Sequence, residues 1–214
     1  LTMTGTIIRD NGTYGLWLTD DENVNISQVT SSGNDIGVYV KDYLPQFELT
    51  NSFITGNRVG VQVGELLINY SLTVFDNDLS GNTELAIQNF DTSSVGTIET
   101  VDASGNWFGT TDESTIDVMV DGAVDFTPYL ATGTDTSIAA GFQGDFSTLY
   151  VTALGEQTTT DGRITQAVNL NSSTTGTIII NDGTYTEDVT IGDSMTLTGT
   201  GIIDGTLSLL DNAK

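Results

Sequence analysis

Three acidic residues in succession, Asp20-Asp21-Glu22, and a looser run, "NDGTYTEDVTIGD" from Asn181 to Asp193, are where the residue types of this chain could do chemistry. Carboxylates are hard oxygen ligands, so that chemistry is cation binding, with Ca2+ the natural ion. Asp20, Asp21 and Glu22 lie in one short loop and match neither the EF-hand spacing nor a Gly-rich nonapeptide calcium repeat. They stand as a candidate metal site on residue type alone. The basic candidates are Arg9, Lys41, Arg58 and Arg163. Glycosidic cleavage by a carboxylate pair needs two acids about 5 to 9.5 Å apart across a groove. No acidic cluster accompanies Arg9 or Arg58 at the same phase of the chain, so no catalytic residue is assigned and no enzyme is expected. With no Cys and no His, thiol nucleophiles, disulfides, imidazole acid–base chemistry and the commonest zinc ligands are excluded.

The 29 acidic and 5 basic residues give a net charge of -24, and the acids are scattered as on a folded surface. Such a field repels phosphate backbones and anionic headgroups, which argues against nucleic acid and membrane-surface partners. No run approaches the roughly 18 apolar residues of a membrane helix, and no signal-peptide pattern lies within the chain. The chain carries 24 Gly but 2 Pro, and is rich in Thr, Ser and Asn, a composition suited to short strands joined by tight turns.

Four segments can be stacked: "LTMTGTIIRDNGTYGLWL", "VNISQVTSSGNDIGVYV", "FELTNSFITGNRVGVQV" and "LTVFDNDLSGNTELAIQ". They start at Leu1, Val24, Phe47 and Leu72, a period of 23, 23 and 25 residues. Asn recurs ten residues into each, at Asn11, Asn34, Asn57 and Asn82, and an alternating apolar run follows it. A partial fifth copy starts at Val101 in "VDASGNWFG". Segments this short cannot bury their apolar side chains alone, but stacked copies can, at about 4.8 Å per rung and with the asparagines aligned as a ladder. The expected fold is all-β, a parallel β-helix (β-solenoid) with short capping helices.

These residues resemble the right-handed parallel β-helix family, the pectate-lyase-like fold of bacterial and archaeal surface and secreted proteins. The segments "ASGNWFGTTD" and "VDFTPYL" are similar to the aromatic ending of such repeat regions. The resemblance implies an extracellular or cell-surface location. It also implies an alternative function, since enzymes of this fold cleave acidic polysaccharides with clustered Asp residues or calcium and a basic group.

After Leu130 the period lapses. Residues 1–130 read as the C-terminal half of a β-helix with its end cap, 131–148 as a linker, and 149–214 as the N-terminal half of a next β-helix. A short helix in "DGRITQAVNLN" would plug the entry of the second unit, and "ESTIDVMV" the end of the first. Placed before Leu1, "MTLTGTGIIDG" from Met195 stacks on "LTMTGTIIRDNG" at a spacing of 20 residues without insertion, with Gly205 at the ladder position. Leu1 and Lys214 then become assembly ends. The expected function is a structural or adhesive repeat joined end to end to copies of itself, as covalent tandem repeats or as a homo-polymer, in a filament or surface array. The rival is a polysaccharide-binding or polysaccharide-cleaving module, for which Trp17 and Tyr39, outward on neighbouring rungs, could stack sugars or simply cover the solenoid.

Overall fold

The alternation within each repeat becomes short strands stacked rung on rung in the computed structural model, which describes residues 1–66, 70–90, 99–171, 175–192 and 195–210. The first rung holds β1 (Thr2–Thr4), β2 (Ile7–Arg9) and β3 (Tyr14–Thr19). The second holds β4 (Asn23–Ser27), β5 (Thr30–Ser32) and β6 (Ile36–Asp42), and the third β7 (Gln46–Thr50), β8 (Phe53–Thr55) and β9 (Val59–Leu66). Then come β10 (Ser71–Phe75), β11 (Leu85–Asn89), β12 (Val101–Asp102), helix α1 (Glu113–Met119), β13 (Val120–Asp121), β14 (Val124–Asp125) and β15 (Tyr129–Leu130).

Equivalent strands pair in parallel. Sheets β1-β4-β7-β10-β12-β14, β2-β5-β8 and β3-β6-β9-β11-β13 form the sides of the solenoid. In-phase residues form inward columns, such as Val24 on Phe47 on Leu72 and Leu16 on Val38 on Val61 on Ile87. These side chains are fully or almost fully buried, and each contributes about 1.5 to 3 kcal/mol of apolar burial. Helix α1 starts at Asp112, whose carboxylate caps the Thr115 amide, and turns Ile116 into the core.

The second stack begins at β16 (Thr148–Val151), followed by helix α2 (Arg163–Leu170), β17 (Thr177–Ile180), β18 (Thr184–Tyr185) and β19 (Val189–Ile191). Its last described rung is β20 (Thr196–Gly199), β21 (Ile202–Ile203) and β22 (Leu207–Leu209). These strands pair in parallel with one another, whereas β16 meets β15 antiparallel, Tyr129 opposite Tyr150. Helix α2 buries Ile164 and Ala167 in the core of this stack.

The stretch expected as a linker lies along the first stack as a strap. Phe142 is fully buried with its ring 5.6 Å from that of Phe53, and its amide donates to the Asn51 carbonyl at 3.0 Å. Phe146 stacks on Phe75 at 5.5 Å, and Asp76 accepts from the Gly144 amide at 2.7 Å. Beyond the strap, Asp125 of β14 accepts from the Thr158 amide at 2.7 Å and its hydroxyl at 2.8 Å.

Candidate functional site

The corner after the second strand of each rung needs a left-handed residue. Asp10, Gly33, Gly56 and Gly81 take it, at φ of 56°, 68°, 65° and 69°. The asparagine that follows turns its side chain inward, where the amide of each ladder residue meets the next carboxamide. Asn11 N donates to Asn34 Oδ1 at 2.9 Å, Asn34 N to Asn57 Oδ1 at 3.1 Å, and Asn57 N to Asn82 Oδ1 at 3.0 Å. The carboxamide of Asn57 also donates to the Ser31 carbonyl at 3.0 Å, and that of Asn82 to the Ile54 carbonyl at 2.7 Å. Buried polar groups are satisfied in this way. The ladder explains the glycines that open "GLWL", "GVYV" and "GVQV": a Cβ on Gly37 would lie 2.6 Å from the Gly60 carbonyl oxygen and 2.8 Å from Asn57 Nδ2.

A second ladder, missed in the sequence, occupies the corner after the first strand. Val29 N donates to Ser52 Oγ at 3.1 Å, Ser52 N to Asn77 Oδ1 at 2.9 Å, and Asn77 N to Asn106 Oδ1 at 2.9 Å. The partial fifth copy is in register at Val101, but its Asn106 belongs to this second ladder rather than to the column ending at Asn82.

Against the expectation that no acids accompany Arg58 in phase, Asp35 and Glu84 flank it on the neighbouring rungs, and the other charged candidates are mostly paired as well. Arg58 spans three rungs, with Nε 2.6 Å from Asp35 Oδ1 and Nη1 2.5 Å from Glu84 Oε2, which holds the Asp35 carboxyl below and the guanidinium above their ordinary values. Lys41 pairs with Asp42 at 3.1 Å, its ammonium 5.9 Å from the centre of the Trp17 ring. Arg163 is buried and donates to the carbonyls of Thr152, Leu154, Gly155 and Glu156, ordering the entry to the second stack.

Of the acidic triplet, Asp20 accepts from the Thr19 hydroxyl at 3.2 Å, Asp21 lies 3.3 Å from the amino group of Leu1, and Glu22 is exposed. In the looser run, Glu187 caps helix α2 through the amides of Ile164 and Thr165, and Asp188 accepts from the Thr206 amide, while Asp193 is outside the described residues. Among the described residues, no three carboxylates converge on one point.

On the outer face of β3-β6-β9-β11-β13, Trp17, Tyr39, Gln62, Gln88 and Asp121 form one column. Trp17 and Tyr39 meet edge to face at 5.6 Å, and the column continues as hydrogen bonds from Gln62 to Gln88 at 2.6 Å and from Gln88 to Asp121 at 3.1 Å. Among the described residues, β1–β3 and β20–β22 are the outermost strands of their sheets. Leu1 lies half exposed beside β1, and Ile7 is 71% exposed on β2; at the far end Ile202 is 61% and Leu209 73% exposed. Lys214, expected at that far end, is outside the described residues.

Stacked parallel rungs, inward apolar columns and amide ladders at the corners define a parallel β-solenoid. The chain belongs to the right-handed β-helix family: the model described as "Right handed beta helix region" matches residues 1–127. Comparison with curated proteins and with solved structures finds no significant match.

Proposed function

We propose that this protein is a structural element of an extracellular or cell-surface array, in which the β20–β22 edge of one copy is followed by the β1–β3 edge of the next, through a covalent link or by docking. The observation that carries the reading is the match between these edges. Thr196-Leu197-Thr198 repeats the exposed, half-buried, exposed pattern of Thr2-Met3-Thr4, and Ile202-Ile203 repeats that of Ile7-Ile8. Leu197 continues the column of Ile178, as Met3 begins the column of Ile26. Each edge offers a row of backbone donors and acceptors that another strand can complete.

The chain contains no cysteine, so a clean test is available. In the matched register Thr198 of one copy faces Thr4 of the next at the spacing of adjacent strands, about 4.8 Å, within the range a disulfide bridges. Oxidised Thr4→Cys/Thr198→Cys protein should run as a ladder of multiples on a denaturing gel, collapsing on reduction. A single band at 22.7 kDa under oxidising conditions would overturn the proposal.

A polysaccharide-binding reading rests on Trp17, which is 51% exposed beside Tyr39 and the amide row. Quenching of Trp17 fluorescence by a glycan, without change in assembly, is the result that would favour it.

A further inference from the structure

Arg58, Lys41 and Arg163 are partnered, whereas Arg9 is exposed on the open rung and its guanidinium has no carboxylate or carbonyl partner among the described residues. At the opposite open rung, Asp204 follows β21 directly; its amide donates to the Tyr185 carbonyl at 2.8 Å, and its exposed carboxylate likewise has no partner among the described residues.

The inward-facing residues decide which groups would meet. Ile203 follows Tyr185 in the interior column of its stack, and Ile8 precedes Ser31 in the other. Apolar continuity therefore sets Ile203 against Ile8, one residue away from the uninterrupted join of the two segments, with Gly201 as the extra residue. In that register Asp204 faces Arg9; in the uninterrupted one it would face Asp10, a like-charge contact across adjacent strands. The one-residue shift also keeps Ile202 and Ile7 together on the outer face.

We infer that Arg9 of one copy pairs with Asp204 of the copy it stacks on, so that charge selects both the register of the junction and its head-to-tail sense. This rests on the end-to-end reading above. The molecule already contains the same device, since Arg58 reaches from its own rung to Asp35 and Glu84 on the two neighbouring ones. One strand spacing is well within the reach of the Arg9 side chain. An exposed pair contributes modestly, but replacing attraction by repulsion at every junction acts in the same direction twice.

The test is a charge exchange read by sedimentation velocity at physiological salt, with circular dichroism to confirm folding. Arg9→Asp alone places two carboxylates at each junction, and Asp204→Arg alone places two guanidiniums. Each should need about tenfold more protein than the wild type to assemble. An equimolar mixture should assemble at the wild-type concentration, because in strict alternation every junction regains one acid and one base. Single variants that assemble like the wild type, or a mixture no better than its components, would overturn the Arg9–Asp204 contact while leaving the Thr4/Thr198 disulfide ladder intact. Loss of that ladder in otherwise wild-type protein would remove the end-to-end reading itself, and this pairing with it.

Discussion

Replacing Asn57 by Ala tests whether the corner ladder holds the solenoid together or merely decorates it. Asn57 is 1% exposed. Its Oδ1 accepts from the Asn34 amide at 3.1 Å and the Asn34 carboxamide at 3.0 Å, while its Nδ2 donates to the Ser31 carbonyl at 3.0 Å. Truncation leaves the Asn34 N–H buried without its acceptor, while the Ser31 carbonyl keeps its place in the β5–β8 ladder and the Asn34 carboxamide keeps the Ser31 hydroxyl. One such orphaned group costs about 1 to 3 kcal/mol, and the variant should lose that much. The comparison that isolates the effect is Asn11→Ala at the open end. There the backbone amide keeps its bond to Asn34 Oδ1, no amide among the described residues donates to the Asn11 side chain, and the loss should stay within about 0.5 kcal/mol. Urea unfolding followed by circular dichroism and by tryptophan fluorescence gives both values, and two probes matter because stacked rungs need not unfold as one unit. Asn57→Ala within about 1 kcal/mol of the wild type, or Asn11→Ala as damaging as Asn57→Ala, would refute the argument.

Gly37→Ala should destabilise by about 1 to 3 kcal/mol, because the added Cβ falls on the Gly60 carbonyl and the Asn57 carboxamide; urea titration reads the loss. The Asp125 carboxyl, fully buried, is pushed above its ordinary value of 3.8 chiefly by desolvation. The folded chain therefore holds that proton more tightly than the unfolded chain, so its contribution is greatest below the ordinary value and is lost as pH rises through the raised one. Asp125→Asn should flatten that part of the fall in stability above the ordinary value of 3.8, and an unchanged pH profile would refute the assignment.

The repeat was legible because two signals share its phase. The inward columns demand apolar residues at fixed offsets, and the left-handed corner demands Gly or Asp before the ladder asparagine; together they make the motif at Gly33-Asn34, Gly56-Asn57 and Gly81-Asn82 visible without alignment. The second ladder was not visible. Its column runs Val29, Ser52, Asn77, Asn106, and its left-handed residues are Gln28, Asn51, Asp76 and Gly105, so no residue type repeats often enough to be seen. The strap was illegible for another reason. Phe142 and Phe146 pack on Phe53 and Phe75, partners some ninety and seventy residues away, and no periodicity within 131–148 announces contacts of that range. Of the candidate site, the outward phase of Trp17 and Tyr39 followed directly from strand alternation. The unpartnered state of Arg9 did not, since it depends on which carboxylates the other basic residues reach.

Net charge bears on how such solenoids can associate at all. At -24 per chain, two copies approaching side by side bring acidic flanks together, and that repulsion acts over roughly 8 Å at physiological salt. The ends differ in kind. In the proposed array each would present strand edges whose backbone groups gain partners on docking, apolar side chains such as Leu197, Ile203, Met3 and Ile8 that would become interior, and an opposite charge in Arg9 or Asp204. Repulsion between flanks, with the proposed continuity between ends, would favour growth in one dimension. The scarcity of basic residues then has a consequence for specificity. Because Arg58, Lys41 and Arg163 are engaged within their own copy, in the proposed array Arg9 would be the guanidinium left to mark which end of the next copy belongs there.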